Sequence, residues 1–479
     1  MADLVPGMAP GHDSRALNLG LRPTGPAVTV TVGAGTAVTS AWRAGNIGLS
    51  FELAELVDPR WEPGSDLAIL VAGLGRPTLR FGGNSADRRV FWTSTAETPP
   101  AWAEVTITPA DVQRLGRFAR ATGVDVVMTV DLGHNDPPRA ADFAAQLAAA
   151  LGQRLAAVSI GNEPNGFNLA SQPQYRIRDD AWGPAAFLAQ ARAYERAMHQ
   201  RTPSVPLVGP GTFDVAWIRA FAAARLPQTR ALTQHWYPLW ACAGQDPAAT
   251  PTARNLLDPA LSRHTAEFVG AAVAQARAAG LALWMEETGP TSCAGTNPTS
   301  RTHAHTLWTV EYLLHLAALG VQRTALHSSL APCLGGAPMS PLCLRSAAGT
   351  SPTRLQGGVG LLGAAFVAQV QPGSFVPVRV SGPDSGAVLA YAVAGPSGTD
   401  VVVVDLRDPA TLTARPLVVT GLPGQRVVAA SRLSRAGKGA ADAGTSPSVL
   451  VPLAPATPAV VETTLPESAT LVRFAANPG

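Results

Sequence analysis

The chain has 479 residues and a mass of 49.4 kDa, too long for one ordinary core, so two domains or a large barrel with an accessory module are expected. With 46% hydrophobic and 14% charged residues it reads as globular rather than disordered, and a net charge of +3 gives no reason to invoke nucleic acid or a membrane surface. No run of about 18 apolar residues occurs, which argues against a spanning helix.

Lys438 is the only lysine, and with abundant Ala, Pro and Gly this suggests a high-GC bacterial genome. Residues Met1 to Leu19 carry Asp3, His12, Asp13 and Arg15 and do not read as a secretory signal. The expected location is therefore cytoplasmic, or secreted or periplasmic if a leader has been removed.

Pro26 to Gly33 alternates β-branched residues and predicts a strand with one buried face. Asn46 to Glu52 is a second strand, ending in a carboxylate, and Thr78 to Asp87 a third, ending in polar residues after the paired glycines Gly82-Gly83. Pro109 to Thr122 has helix spacing and an acidic first turn, and Val124 to Asp131 is a strand. The alternation continues with a helix over Ala140–Ala156, a strand over Ala157–Ile160 and a helix over Ala185–His199. A strand over Pro206–Gly211, a helix over Val215–Ala224 and a strand over Thr229–Pro238 follow. A helix over Leu261–Ala279, a strand over Leu281–Thr288, a helix over His303–Leu319 and a strand over Arg323–Ser328 complete the series. Eight such strands separated by helices predict a (β/α)8 barrel, with the active site at the C-terminal strand ends.

After about Gly360 helical periodicity stops. Short strands at Phe375–Val380, Ala387–Val393, Val401–Val404, Leu417–Val419 and Ser448–Leu453 predict an antiparallel β-sandwich that the Val28–Val32 strand joins. The expected division is an N-terminal segment over 1–40, the catalytic barrel over 41–355 and the sandwich over 356–479.

Two carboxylates end separate barrel strands, Glu163 on the fourth and Glu287 on the seventh. Glycoside hydrolysis needs one carboxylic acid to protonate the leaving oxygen and a second carboxylate opposite it. Glu163 follows an apolar run and precedes a Gly-rich loop, the setting that raises a carboxyl pKa; alternatively Asn-Glu-Pro starts a surface turn. Glu286 competes with Glu287, because neighbours along a strand point to opposite faces.

The residues Asn162-Glu163-Pro164, Glu287 and His235-Trp236-Tyr237-Pro238 resemble the large barrel superfamily of retaining glycosidases. Gly48-Leu49-Ser50-Phe51-Glu52 and Arg80-Phe81-Gly82-Gly83-Asn84-Ser85-Ala86-Asp87, with Trp92, further resemble the heparanase and β-glucuronidase family, glycoside hydrolase family seventy-nine. The resemblance implies Glu163 as acid/base and Glu287 as nucleophile. It implies Asn162 on the sugar 2-hydroxyl, Tyr237 on the nucleophile, and Glu52, Asn84 and Asp87 along the subsite. Salt bridges from Asp87 and Glu52 to Arg80, Arg88 or Arg89 are the competing structural reading. His235, Trp236 and His327 stand at strand ends as further sugar contacts, with packing as the alternative for Trp236 and His327, and Tyr237 could instead cap the barrel core. The implied partner is a glycoside, oligosaccharide or polysaccharide, including one that contains uronic acid.

The sequence departs from the family after the nucleophile, where Gly289-Pro290-Thr291-Ser292 follows Thr288. Backbone amides of Ala294-Gly295 and Gly335-Gly336 are the candidates for holding a uronate carboxylate, but no tyrosine occurs between Tyr312 and Tyr391. A silent carbohydrate-binding barrel and a glycosidase for neutral sugars are the competing functions. No cofactor is implied. His303-x-His305 on a helix faces two directions and does not read as a metal site. Cys242, Cys293, Cys333 and Cys343 lack CxxC spacing, leaving two disulfides or free thiols open.

Overall fold

The computed structural model describes residues 1, 3–8, 23–36, 38–171, 173–240, 246–293, 295–345, 354–408, 414–435, 448–453 and 462–476. Eight strands pair in parallel and close on themselves: β1 (Ile47–Glu52), β2 (Thr78–Gly82), β3 (Asp125–Val130), β4 (Leu155–Ile160), β5 (Leu207–Thr212), β6 (Thr229–Trp236), β7 (Ala282–Thr288) and β8 (Val321–His327). Each pairs with the next in the chain, and β8 with β1, so the expected barrel is observed.

Why these runs form barrel strands is visible in their two faces. On β3, Val126, Met128 and Val130 face the outer helices within the main core. Val127 faces inward and joins Ala157, Val208, Ala231 and Trp284 in a separate apolar floor. One layer higher, the inward positions are buried and polar: Ser50, Arg80, Thr129, Ser159, Thr233 and Glu286. An apolar floor under a polar layer puts the chemistry at the C-terminal mouth.

The helix Pro109–Thr122 starts on a reciprocal Thr108/Asp111 cap and stops at left-handed Gly123, as its sequence signals predict. The helix Asp66–Ala72 was not expected; at two turns it is too short for a periodic signal.

Among the described residues, the strands outside the barrel form a seven-stranded sheet, a four-stranded sheet and two two-stranded sheets, and the first two make up the layer beyond it. Val28, Val30, Val32, Val388, Ala392, Val401, Val403, Leu417, Val472 and Phe474 pack in one apolar cluster drawn from both. The Val28–Val32 strand does join, antiparallel to Val378–Ser381, but it runs parallel to Arg415–Thr420, so the layer is not purely antiparallel. The single strand expected over Phe375–Val380 is two, Gly373–Val376 and Val378–Ser381, one in each sheet. Pro377 separates them, since it has no N–H to continue a ladder. Helix also persists past Gly360, over Val359–Val367; that helix is buried all round and so shows no amphipathic period. The long strands Gln425–Arg435 and Ser468–Ala476 were missed.

Buried polar contacts tie this layer to the barrel helix His303–Leu319. His303 Nε2 donates to Glu467 O (2.8 Å) and Nδ1 meets Ser448 Oγ (2.7 Å), while Tyr391 donates to Glu311 Oε1 (2.9 Å). His303 and His305 thus serve packing; His305 Nδ1 is 2.7 Å from Ser300 O. Among the described residues, no helix is long and apolar enough to cross a membrane.

Candidate active site

After β4 the chain turns into the mouth through two left-handed residues, Gly161 (φ 74°) and Glu163 (φ 48°). Left-handed backbone at a glutamate costs on the order of 1 kcal/mol, and persists only where neighbours hold it. Here the Glu163 N–H donates to Gly211 O (2.9 Å), and Glu163 O accepts from the Gly166 N–H (2.7 Å). The result aims the Glu163 side chain at His235, whose Nδ1 lies 3.1 Å from Glu163 Oε1. His235 is fully buried, whereas the Glu163 side chain is 22% exposed. Glu163 is open to a ligand.

Glu287 stands at the end of β7. Its Oε2 accepts from Arg80 Nη1 at 2.6 Å and its Oε1 from the Tyr237 hydroxyl at 2.9 Å. His327 Nδ1, at the end of β8, is 3.9 Å from Oε2. Burial pushes the Glu287 carboxyl up, but His327, His235, Arg80 and the Tyr237 hydrogen bond outweigh it and hold it well below the usual carboxylate range. The same burial, with Glu287 beside it, pushes the Tyr237 phenol up, so Tyr237 stays a donor.

Strict alternation would turn Glu286 and Glu287 to opposite faces. The ladder slips on both sides of β7, with His235 opposite Glu287 immediately after Gln234 opposite Met285. Glu286 is the extra residue of this bulge. It follows inward Trp284 into the barrel, and Glu287 is left at the mouth.

Arg80 was read as part of a motif but not as a site residue. It is 1% exposed, and besides Glu287 it donates to Ser50 Oγ (3.1 Å) and Asn162 Oδ1 (2.6 Å). Asn162 Oδ1 also accepts the Gly83 N–H (3.1 Å), and the buried Nδ2 has no hydrogen-bond partner among the described residues. One guanidinium therefore fixes Glu287 and orients Asn162. The signal for it was a cation in mid-strand between Leu79 and Phe81, which has to find partners inside.

The carboxylates expected to line the subsite are otherwise engaged. Asp87 accepts from the N–H groups of Leu132 (2.7 Å), Gly133 (3.2 Å) and Asn162 (2.7 Å), joining the loops after β2, β3 and β4. Glu52 accepts from the N–H groups of Asn84 (3.1 Å) and Ser85 (2.7 Å). Neither carboxylate forms an ion pair with Arg80, Arg88 or Arg89; the partners observed are backbone amides, and the competing salt-bridge reading does not hold. Asn84 Oδ1 accepts from Arg88 Nη1 (3.1 Å).

Two other expectations change. Trp236 points away from the mouth and stacks on Phe268 at 5.0 Å, because His235 and Tyr237 on either side of it face inward. The Gly295 N–H donates to Ser292 O (3.1 Å), so it is already used within its own turn. Ala294 lies outside the described residues, as does Cys242. Cys333 and Cys343 are joined by a disulfide and Cys293 is also disulfide-bonded, so the free-thiol alternative does not hold for these three.

One ligand atom each from Glu163, His235 and Glu287 lie within 4.8 Å of one another. Such a trio has the donor types of a metal site, but the buried Arg80 guanidinium already sits against Glu287 and opposes a second cation there. A partly exposed acid a few ångströms from an ionised carboxylate is instead an arrangement suited to proton transfer beside a nucleophile.

No protein-family model and no curated protein matches the sequence. Solved structures do match in fold. A 4-O-α-L-rhamnosyl-β-D-glucuronidase from Fusarium oxysporum 12S superimposes with a TM-score of 0.70 at 18% identity, over 93% of this chain and 99% of that one. The family 51 α-L-arabinofuranosidase AbfB from Bifidobacterium longum gives 0.67 at 18% identity, over 94% and 99%. An α-L-arabinofuranosidase from Thermotoga maritima gives 0.64 at 14% identity, over 93% and 99%. The chain thus shares the barrel-and-sandwich fold of these glycoside hydrolases.

Proposed function

We propose that the protein is a retaining β-glycoside hydrolase, with Glu163 as acid/base and Glu287 as nucleophile. The observation that carries this reading is the approach of the Glu163 and Glu287 carboxylates, with ligand atoms within 4.8 Å. Retaining enzymes keep the two carboxyl groups roughly 5–5.5 Å apart, whereas inverting enzymes need several ångströms more for a water. The protonated Glu163 gives its proton to the leaving oxygen as Glu287 attacks the anomeric carbon and forms a glycosyl-enzyme ester. Glu163, now ionised, takes a proton from water as that water attacks the same carbon, and Glu287 leaves as a carboxylate. Arg80 and Tyr237 keep Glu287 ionised between turnovers, and Asn162 beside them is the residue we assign to a sugar hydroxyl.

For the sugar we propose a β-glucuronide. The sequence resemblance and the fold shared with a rhamnosyl-glucuronidase support it. A neutral sugar such as an arabinofuranoside is the second reading, favoured by the engaged Gly295 amide and the absence of a tyrosine between Tyr312 and Tyr391. The disulfides fit folding in an oxidising compartment.

A panel of aryl glycosides decides between these readings. Release of phenol from the β-glucuronide, lost in both Glu163→Gln and Glu287→Gln with folding intact, is the expected result. Full turnover in both variants overturns the catalytic assignment, and turnover confined to the arabinofuranoside overturns the sugar.

A further inference from the structure

The mouth has two unlike halves. Around Glu287 stand polar side chains from adjoining strands: Ser50 from β1, Arg80 from β2 and His327 from β8. Across the barrel, the loops that follow β4, β5 and β6 carry Tyr175, Phe213 and Trp240, which are 37%, 40% and 50% exposed. Among the described residues, the other large apolar side chains this exposed are Leu334 beyond β8, Ile69 on a helix and Val428 on a sandwich strand. Three consecutive strand-end loops thus each hold an aromatic ring out toward water.

All three rings belong to backbone that starts close to Glu163. Phe213 is two residues beyond Gly211, whose carbonyl accepts the Glu163 N–H, so its Cα is within roughly 7 Å of the Gly211 Cα. Trp240 is five residues beyond His235, which meets Glu163, and three beyond Tyr237, at most about 11 Å along the chain. Tyr175 lies in the loop that begins at Glu163. Arg88 reaches it there: Nη2 and Nε donate to Tyr175 O at 2.6 and 3.1 Å, with the guanidinium 5.5 Å from the ring centroid. Arg88 is in turn near enough to Glu163 for the two charges to act on each other. Because Glu163 gives its proton to the leaving oxygen, the leaving group departs from this side of the mouth.

What these loops offer a ligand is apolar. The charged side chains beside the rings are already engaged: Arg88 on Tyr175 O and Asn84, Arg176 on Asp180 and Arg178 O, and Asp214 on the Ala216 N–H. A further sugar ring placed there brings several hydroxyls that need partners, whereas a planar apolar group needs only area and stacking. We propose that Tyr175, Phe213 and Trp240 form the leaving-group subsite, and that the substrate is the glycoside of a large planar phenol rather than a link in a polysaccharide. Hydrogen bonds hold the sugar half of such a substrate, and aromatic surface holds the other half. This subsite rests on the acid/base role given to Glu163, which sets the side from which the leaving group departs.

The test compares 2-naphthyl and phenyl glycosides of the same sugar, whose leaving groups are similar in acidity but differ by one ring. In Phe213→Ala and in Trp240→Ala, the ratio of kcat/KM, naphthyl over phenyl, is expected to fall by about 3- to 10-fold. Both rings are exposed, so neither substitution leaves a cavity in the core. A second arm needs no turnover: free 2-naphthol, titrated by calorimetry, is expected to bind the unaltered protein and to bind each variant more weakly. A ratio unchanged in the double variant overturns the proposal, as does a loss confined to an oligosaccharide substrate. A protein that cleaves no glycoside but loses 2-naphthol binding in both variants overturns the hydrolase reading alone.

Discussion

Arg80 Nη1 lies 2.6 Å from Glu287 Oε2, with the guanidinium 1% exposed and the carboxylate buried beside it. Taking two charges out of water is costly unless remaining hydrogen-bonding positions are filled, and here Ser50 and Asn162 fill two of them. Arg80→Lys keeps the charge but cannot reach three partners at once. We expect kcat/KM to fall by about 100-fold. Glu287 is held down in the folded protein, so loosening Arg80 lets it rise, and the acid limb of the profile moves to higher pH. A pH series on the best aryl glycoside checks both.

Tyr237 gives Glu287 its second hydrogen bond, at 2.9 Å. A hydrogen bond to a charged group contributes about 1.5–3 kcal/mol. Tyr237→Phe is therefore expected to reduce kcat by roughly 10- to 100-fold, with little change in melting temperature. Loss of stability with unchanged kcat would refute the assignment.

A general acid matters in proportion to how poor the leaving group is. Glu163→Ala is expected to lose about 100- to 10,000-fold on a poorly leaving alcohol. It should lose far less in the first step on a strongly activated phenol, where the ester on Glu287 then accumulates and a small anion such as azide relieves it. Equal losses on both substrates, measured by burst kinetics, count against the acid role.

Burial holds His303 near a pKa of about 4, against the hydrogen bond to Glu467 O that raises it. A histidine lowered in the folded state binds its proton more readily when unfolded, so stability is intact above the unfolded value of about 6.5 and falls as pH drops toward 4. Glu467, pushed up to about 7 by burial, works in the opposite direction, so the comparison must isolate His303. Between pH 8 and pH 5, the stability of His303→Gln relative to the unaltered protein is expected to improve by about 2 kcal/mol. Denaturant titrations at the two pH values measure it.

The eight barrel strands were legible because buried parallel strands read as apolar runs ended by polar residues, with capped helices between them. Glu163 and Glu287 were legible for the same reason, as acids at strand ends. What was not legible depends on loop geometry and ladder irregularity. Asp87 and Glu52 accept backbone amides, a role that no residue type announces. The slip that puts Glu286 and Glu287 on one side of β7 leaves no composition signal. Trp236 was recoverable: inward His235 and Tyr237 fix it outward by the two-residue period alone. Pro377 was a legible break that the expectation of one strand over Phe375–Val380 passed over.

The Val28–Val32 strand sits between Val378–Ser381 and Arg415–Thr420, its partners in the four-stranded sheet. Made early, it waits through the synthesis of the entire barrel before either neighbour exists. The loop that must close to seat it spans more than three hundred residues, although the entropy of closure grows only with the logarithm of that length. The smaller sheet is thus a seal whose neighbouring strands come from segments more than three hundred residues apart in the chain.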